Sequence, residues 1–303
     1  PAAVRFVDIA GLVKGASKGE GLGNKFLEHI RQVDAIAHVV RCFEDADITH
    51  VEGAVDPIRD IGIITTELCL ADSETVEKRR EKLLRAMKSG SKEAKAEASL
   101  LERVASSLSE GRPARQLDFS EEEAALLREL TLLTMKPTLY VANVAEDEAA
   151  TAEKENPFVQ RVKEYAAAEG AEVVAISAKV EAEIAELSGE EAKEFLAAIG
   201  LAESGLDRLI KKAFSLLNLM TFLTAGPDEC RAWTITRGTT APKAAGKIHS
   251  DIERGFIRAE IVTYDDLVAA GSTAAAREKG KVRLEGKEYI MQDGDVTYFR
   301  FNV

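Results

Sequence analysis

Three short apolar runs, separated by stretches with helical spacing, limit the fold classes that this chain can adopt. They cover residues 35–43, 137–143 and 171–177. Each run is apolar nearly throughout rather than alternating, which is typical of strands covered on both faces in a parallel sheet. Helical spacing in the stretches between such runs predicts crossover connections between parallel strands. The chain is therefore predicted to contain an α/β domain with a mostly parallel sheet.

A further apolar run begins the sequence and passes directly into a glycine-rich segment. Residues 4–9 have the length and composition of a strand, and the glycines that follow are Gly11, Gly15, Gly19, Gly21 and Gly23. Helical spacing resumes at residues 26–33. We expect a strand, a flexible loop and a helix, which together with the run at 35–43 form a βαβ unit.

Composition excludes several classes of protein. The 303 residues carry a net charge of −12 and are 46% hydrophobic, which argues against a disordered or fibrous chain. No apolar run approaches the roughly 20 residues that span a bilayer, so no membrane association is expected. Cys42, Cys69 and Cys230 are widely spaced and lack nearby metal-ligand partners. A reducing, cytoplasmic location is therefore predicted.

Two changes in pattern divide the chain. Amphipathic spacing at 73–87 and 94–108 predicts an antiparallel helical hairpin, and a capping box at Ser120 begins a third helix. After Leu219 the sequence changes to short strands and turns, which predicts a small α+β module. The predicted organisation is a sheet domain made of residues 1–71 and 135–218, a helical insertion at 72–134, and a C-terminal domain at 219–303.

Polar residues follow the predicted strands in a fixed order. Asp8 to Gly11 has the form D-x-x-G, Asn143 to Glu146 has the form N-x-x-E, and Ser177-Ala178-Lys179 follows the last strand. Open α/β sheets bind ligands beyond the carboxyl ends of their strands. Each motif alone is equally consistent with a strand-ending turn. Together and in this order they match the strand-end series of a GTPase-type nucleotide fold.

The longest of these segments identifies a family. Residues 6–24 resemble, almost letter for letter, the switch segment of the YchF/Obg-like ATPases, which are P-loop NTPases of the translation-factor class. The resemblance continues through residues 38–43, the helical hairpin and the N-x-x-E motif. It ends in a C-terminal segment, 241–249 through 294–296, that is similar to a TGS domain, a ubiquitin-like α+β fold. The resemblance thus covers essentially the whole chain.

The resemblance implies roles for individual residues. Asp8 and Gly11 match the switch residues that sense Mg²⁺ and the γ-phosphate of ATP or GTP. Asn143 and Glu146 occupy the base-reading motif, which in typical GTPases ends in an Asp that accepts two hydrogen bonds from guanine. Glu146 removes that fit, and the family accordingly prefers ATP. Val144 and the Ser177-Ala178-Lys179 segment are implied to line the adenine pocket.

Hydrolysis of a nucleoside triphosphate requires a group that positions the attacking water, and this sequence lacks the glutamine that many GTPases use. Leu12 stands where those enzymes place a glutamine that orients water. His50 matches a histidine proposed for this role in the family, and an imidazole near neutral pKa suits general-base chemistry. A surface-loop histidine without a catalytic role is an equally good interpretation of His50 at this stage.

The sequence differs from the family pattern in one major respect, the phosphate-binding loop. The sequence contains no G-x-x-x-x-G-K-[ST] loop, which cradles phosphates and holds Mg²⁺ through its Ser/Thr. In the family this loop precedes the strand at residues 4–9. We therefore expect a longer native protein, and we expect the chain as printed to bind a triphosphate weakly.

The function predicted from the sequence is a slow, ATP-preferring NTPase that acts as a monomeric, ribosome-associated switch. The alternative is a non-catalytic module that binds RNA or protein through its helical arm and TGS domain. Basic residues of the C-terminal module surround Trp233 and Phe256. Composition alone favours a solvated surface lying over an ordinary core, whereas the resemblance to a ribosome-associated family favours contact with ribosomal RNA. No DNA partner is expected. These basic residues are Arg231, Arg237, Lys243, Lys247, Arg254 and Arg258.

Overall fold

The computed structural model describes residues 2–9, 22–48, 50, 53–87, 91–226 and 229–302. These residues fall into two compact units, Val7–Lys212 and a second made of Pro1–Phe6 with Ala213–Val303. Within the described residues, no helix is both long enough and apolar enough to cross a membrane.

The first unit is built on a parallel sheet. Its strands β1 (Ile36–Arg41), β2 (Thr138–Asn143) and β3 (Glu172–Ile176) lie in the order β1-β2-β3. Register pairs Val39 with Val141 and Val141 with Val174, so the three strands end at one edge. The predicted parallel α/β sheet is confirmed, with strand bounds within two residues of the apolar runs.

Helices of the first unit cover the sheet and form the arm. They are α1 (Leu22–Gln32), α2 (Pro57–Met87), α3 (Lys92–Ser109), α4 (Glu121–Leu130), α5 (Ala152–Glu155), α6 (Pro157–Ala168), α7 (Ala178–Ala185), α8 (Gly189–Ala198) and α9 (Gly205–Leu216). The core between sheet and helices is apolar, and it includes Val40, Ile61, Tyr140 and Val159. A second core inside the arm joins α2 to α3 through Val76, Leu101 and Val104.

The helical arm begins earlier than the sequence pattern indicates. Helix α2 runs without interruption from Pro57 to Met87, whereas the pattern predicts a start at residue 73. Its buried side changes from the sheet core to the arm core along its length, so no single hydrophobic stripe marks the whole helix. The predicted domain limit at 71/72 therefore lies inside a helix, and the domain limits remain a prediction.

Helix starts with capping signals were predicted closely. Ser120 accepts a hydrogen bond from the Glu123 N–H, and the Glu123 side chain bonds the Ser120 N–H in return. Ser91 caps α3 by accepting from the Ala94 N–H. These side chains satisfy N–H groups that a helix leaves unpaired in its first turn.

The predicted strand at residues 4–9 is wrong. Residues 2–9 have no regular secondary structure, and Phe6 and Val7 are 46% and 49% exposed. A strand requires a neighbour for its N–H and C=O groups, and among the described residues β1 pairs only with β2. Strand β1 is not covered on both faces as predicted, because Val39 is 64% exposed.

The second unit is a five-stranded mixed sheet with helices. Its strands are β4 (Leu219–Ala225), β5 (Cys230–Thr236), β6 (Phe256–Thr263), β7 (Arg283–Glu285) and β8 (Asp295–Phe301), in the order β5-β4-β8-β6-β7. The helices are α10 (Ala241–Ile248), α11 (Ser250–Arg254), α12 (Tyr264–Ala270) and α13 (Thr273–Glu278). One sheet face holds a core that includes Phe222, Ile235, Ala244 and Phe299.

The predicted α+β C-terminal module is confirmed. The short apolar run at residues 289–291 contributes only an isolated bridge between Ile290 and Thr240. Gly294, in the turn before β8, has φ of 82°, a conformation that glycine adopts without steric cost.

Candidate functional site

The carboxyl edge of the parallel sheet is fixed by backbone pairing that continues past the strands. The Cys42 N–H donates to the Asn143 carbonyl at 2.8 Å, and the Val144 N–H donates to the Ile176 carbonyl at 2.9 Å. These bonds hold the residues after β1, β2 and β3 side by side. Val144 is 3% exposed, so this loop is anchored in the core.

Two of the predicted base-reading motifs meet at this edge. The side-chain oxygen of Asn143 accepts a hydrogen bond from the Ala178 N–H at 3.0 Å. Ser177 is the N-cap of α7 and accepts from the Val180 N–H at 3.5 Å. The Asn143 oxygen is thus committed within the protein, which leaves its amide NH₂ group as a donor for a ligand.

Glu146, the last residue of the predicted N-x-x-E motif, forms an exposed ion pair with Lys179. Lys179 Nζ lies 2.5 Å from Glu146 Oε2, and the two side chains are 69% and 45% exposed. The hydrogen bond and negative charge of Glu146 raise the pKa of Lys179, which therefore stays protonated at neutral pH. Because exposed pairs contribute little stability, Glu146 can exchange Lys179 for a ligand at small cost.

The structure shows a buried asparagine at this edge that the sequence reasoning did not single out. Asn156 caps α6 by accepting from Phe158 and Val159, at 2.9 and 3.0 Å. Its NH₂ group donates to the Cys42 carbonyl at 2.9 Å and to Glu148 at 2.8 Å. The Asn-Pro pair at the start of α6 is a sequence signal for such a cap.

Glu181 joins helix α7 to the start of helix α9. Its carboxylate accepts from the N–H groups of Gly205 at 2.7 Å and Leu206 at 3.0 Å. A carboxylate at a helix N-terminus satisfies unpaired N–H groups and is favoured by the helix dipole. Helix α7, which carries Ala178 and Lys179, is thereby attached to the start of α9. No sequence signal points to this contact, because the two ends lie 24 residues apart.

His50 lies in the loop between β1 and α2 and is engaged by side chains. Its Nε2 is 2.9 Å from Asp60 Oδ2, and its Nδ1 is 3.4 Å from Arg59 Nη2. The imidazole is 15% exposed. Both ring nitrogens face partners on the first turn of α2, so a role in activating water requires His50 to leave Asp60. That role stays a prediction.

The residues predicted to sense phosphate are described only in part. Asp8 is exposed and lies in a segment without regular secondary structure. Gly11, with the rest of the glycine-rich segment at 10–21, lies outside the described residues. Among the residues that the structure describes, no group of three or more His, Cys, Asp or Glu side chains is placed to hold a metal ion.

The basic residues predicted to contact RNA are largely engaged by neighbours. Lys243 pairs with Glu253 at 2.6 Å, Arg254 pairs with Asp251, and the Arg231 guanidinium lies 4.2 Å from the Trp233 ring centroid. Phe256, one of the two aromatic residues considered for contact with RNA, is 5% exposed and belongs to the core, so its ring is not available to a base.

Comparison with known proteins identifies the relatives of this chain. A family model described as a 50S ribosome-binding GTPase matches residues 2–95, and the C-terminal model of the YchF GTPases, described as a protein of unknown function, matches residues 219–302. The chain is 59% identical over 303 residues to the ribosome-binding ATPase YchF of Bacillus subtilis, covering 100% of this chain and 82% of that protein. It is 46% identical over 307 residues to Obg-like ATPase 1 of Rattus norvegicus, covering 100% of this chain and 77% of that protein.

Solved structures agree with the fold. The YchF GTPase of Schizosaccharomyces pombe superposes with a TM-score of 0.82 at 40% identity, covering 96% of this chain and 79% of that chain. A GTP-binding protein from Pyrococcus horikoshii gives a TM-score of 0.57 at 21% identity, covering 91% of this chain and 81% of that chain, which shows a shared fold alone. Identity at this level over the whole chain, together with the strand-end geometry, places the protein in the YchF/Obg-like ATPase family of P-loop NTPases.

Proposed function

We propose that this protein binds ATP in preference to GTP at the carboxyl edge of the β1-β2-β3 sheet, hydrolyses it slowly and acts as a ribosome-associated switch. The hydrogen bond between Asn143 and Ala178 carries this proposal, because it joins two base-reading motifs that are 35 residues apart in sequence. An edge arranged in this way presents the Asn143 NH₂ group to a ring-nitrogen acceptor of a purine.

Glu146 accounts for the proposed base choice. Its carboxylate stands where typical GTPases use the shorter Asp to accept two hydrogen bonds from guanine. The extra methylene moves the carboxylate and so disfavours the paired guanine contact. The Asn143 NH₂ group serves either purine.

Magnesium is proposed to enter with the triphosphate. Mg²⁺ is commonly held by one or two carboxylates together with substrate phosphates and water. Asp8 offers one exposed carboxylate of this kind, and carboxylate oxygen is the ligand chemistry that Mg²⁺ prefers. The ion would neutralise charge on the phosphates during hydrolysis. Gly11 and the glycine-rich segment after it are proposed to contact the γ-phosphate and so report the nucleotide state.

The proposed partner is the ribosome. Relatives from Bacillus subtilis and Escherichia coli O157:H7, at 59% and 52% identity, are named ribosome-binding ATPases. We extend that property to this chain, which we propose acts as a cytoplasmic monomer. Its C-terminal unit, proposed to be a TGS domain, and its helical arm offer surfaces for such a partner.

The test is nucleotide binding measured by calorimetry. ATP and GTP are titrated with Mg²⁺ into the 303-residue chain and into a chain extended through the upstream codons. We expect tighter ATP binding to the extended chain. Asn143→Ala in that chain should weaken ATP binding about 5- to 100-fold, because a lost hydrogen bond at a protein site costs about 1–3 kcal/mol.

The matched control is Asn302→Ala, which removes an exposed asparagine near the C-terminus. It should leave ATP binding unchanged. Equal ATP affinity in the Asn143→Ala and wild-type proteins would reject the base-reading assignment. A preference of the wild-type protein for GTP would reject the role given to Glu146.

A further inference from the structure

The loop between β1 and α2 holds the backbone of His50 in a tight turn. The Gly53 N–H donates to the His50 carbonyl at 3.0 Å, and the two residues form an isolated antiparallel bridge. Earlier in the loop, the Arg41 guanidinium donates to the carbonyls of Phe43 and Ile48, both at 3.0 Å. Arg41 is the last residue of β1. The His50 side chain therefore extends from a turn that is tied to the end of the sheet.

The first turn of α2 presents two charged side chains to the imidazole, and these two with His50 are named the histidine clamp. Asp60 Oδ2 lies 2.9 Å from His50 Nε2, and Asp60 Oδ1 accepts from Arg59 Nε and Nη2 at 3.2 and 3.1 Å. Arg59 Nη2 also lies 3.4 Å from His50 Nδ1. Each of the three side chains thus contacts the other two.

The chemistry of these partners assigns the position of the imidazole proton. An ionised carboxylate only accepts hydrogen bonds, so the contact with Asp60 requires a proton on His50 Nε2. A guanidinium only donates, so the contact with Arg59 requires a lone pair on His50 Nδ1. Both contacts agree on one neutral tautomer, which carries its proton on Nε2 and its lone pair on Nδ1.

This arrangement shields the atom that a general base needs. A neutral histidine takes a proton from water through the lone pair of its unprotonated ring nitrogen. In the histidine clamp that lone pair faces the Arg59 guanidinium, and the imidazole is 15% exposed. Arg59 is held in turn, because its Nη2 donates to the Ala54 carbonyl at 2.7 Å. In the closed clamp, His50 is therefore not available to a water molecule.

The clamp can open without unfolding the helix that carries it. The Arg59 and Asp60 side chains are 33% and 24% exposed, so water can replace their contacts. The start of α2 is held separately by Asp56, which accepts from the Ile58 N–H at 3.1 Å and pairs with Arg161 of α6 at 2.9 Å. Substitution of Asp60 is therefore expected to leave the start of α2 in place.

We propose that Arg59 and Asp60 are positioning residues that hold His50 in a resting state, and that ATP hydrolysis requires the histidine clamp to open. This inference rests on the proposed catalytic role of His50 and adds the regulation of that same site. Only the open fraction of the protein has a usable base, so the closed clamp accounts for slow turnover.

The first test measures single-turnover ATP hydrolysis by the chain extended through the upstream codons. Asp60→Ala should raise the rate about 10- to 100-fold, the population shift expected when a hydrogen bond to a charged group is lost. ATP affinity, measured by calorimetry, should stay unchanged. Adding His50→Ala to Asp60→Ala should remove the gain, because Asp60 acts through His50. Arg59→Gln should also raise the rate, since it uncovers Nδ1.

Glu122→Ala is the matched control for Asp60→Ala. Glu122 is likewise an acidic residue in the first turn of a helix, α4, and its side chain is exposed. Loss of a favourable charge at a helix N-terminus affects both variants alike, whereas release of His50 occurs in Asp60→Ala alone. Glu122→Ala should therefore hydrolyse ATP at the wild-type rate.

The second test reads the tautomer of His50 and needs no nucleotide. The chain contains four histidines, so the imidazole signals in ¹⁵N NMR spectra can be assigned by comparison with His50→Ala. In the wild-type protein at neutral pH, His50 should be the single tautomer with its proton on Nε2. Asp60→Ala should show exchange between the two tautomers. A purely structural role of Asp60 would lower the thermal stability and leave the tautomer unchanged.

A proton on Nδ1 of His50 in the wild-type protein would overturn the proposal. A hydrolysis rate in Asp60→Ala at or below the wild-type rate would also overturn it, as would a gain that persists when His50→Ala is added. These outcomes are separate from those of the nucleotide site. Failure of Asn143→Ala to affect ATP binding rejects base reading alone, and the tautomer measurement tests the histidine clamp with no nucleotide present.

Discussion

The base-reading edge and the His50 loop both follow strands of the same sheet, yet they are held in different ways. At the base-reading edge, Asn143 and Ala178 are joined by a hydrogen bond that uses a backbone N–H, and backbone pairs on either side extend the sheet. In the His50 loop, the imidazole contacts the side chains of Asp60 and Arg59.

This difference teaches which part of the site is preformed. Backbone pairs in a sheet break only when the sheet opens, so we expect the carboxyl edge around Asn143 to keep its geometry when a ligand binds. Side-chain contacts at a partly exposed position exchange with solvent or ligand at a cost of about 1–3 kcal/mol for a hydrogen bond to a charged group. We therefore expect a ligand to displace the His50 side chain more readily than the Asn143 side chain.

The largest expected effect is that of His50→Ala. If His50 leaves Asp60 to act on the attacking water, its loss should slow ATP hydrolysis by about 100-fold, within the range for general-base catalysis. ATP affinity should change less than twofold, because the base-reading edge does not depend on this loop. Single-turnover hydrolysis and calorimetry, carried out on the chain extended upstream, measure the two quantities.

His249→Ala serves as the control, since His249 is an exposed histidine of the other unit. Its turnover should equal that of the wild-type protein. An unaltered rate in His50→Ala would remove His50 from the mechanism. A loss of ATP affinity as large as the loss of rate would show that the two regions are not independent.

Gly205→Ala is expected to have an intermediate effect. It tests whether packing around Gly205 holds helix α7 in place at the carboxyl edge of the sheet. A Cβ atom at Gly205 would lie 2.6 Å from Ile176 Cγ2 and 2.8 Å from Glu181 Oε1. The crowding should lower the free energy of unfolding of the first unit by about 1–3 kcal/mol and weaken ATP binding, because Ile176 and Glu181 support α7. Urea unfolding followed by circular dichroism measures the change.

Gly62→Ala is the matched control within the same unit, because an added Cβ at this position of α2 would have no atom within 4 Å. It should raise stability by about 0.5–1 kcal/mol, the difference in helix propensity. The single tryptophan, Trp233, lies in the second unit, so its fluorescence reports that unit separately. Equal stabilities of the two glycine variants would contradict the packing described for Gly205.

Lys179→Ala is expected to have the smallest effect. Its ion pair with Glu146 is exposed at both ends, and such pairs contribute about 0–1 kcal/mol. ATP affinity should therefore change less than about fivefold. Lys193→Ala removes a similarly exposed pair, with Glu190, and gives the background level. A larger loss in Lys179→Ala than this limit would mean that Lys179 itself contacts the nucleotide.

Local signals predicted most of the secondary structure. The runs that became β1, β2 and β3 are apolar because many of their side chains, such as Val40, Tyr140 and Ala175, pack in the core. The caps at Ser91 and Ser120 satisfy N–H groups within a few residues. Residues 4–9 have the same local signals but form no strand, since pairing depends on a neighbour and not on the run itself. The first half of α2 was missed because its buried side changes along the helix.

The sequence predicted which residues belong to the candidate site but not which contacts they make. Asn143, Glu146 and the Ser177-Ala178-Lys179 segment were named from motif order, and the structure brings them together at one edge. Asn156 and Glu181 were not named, although they hold that edge. The Asn-Pro pair indicates the cap at Asn156, but no periodicity or short motif indicates its contact with Cys42 or the contact of Glu181 with Gly205, because these partners are distant in sequence.

The sequence by itself determined the parallel sheet, the helical arm, the α+β C-terminal unit and the family, because apolar periodicity, capping residues and long motif matches are local properties. Only the tertiary structure decided that Asn143 bonds Ala178 and that His50 faces Asp60. These contacts depend on strand order and register, which are fixed by packing between distant segments.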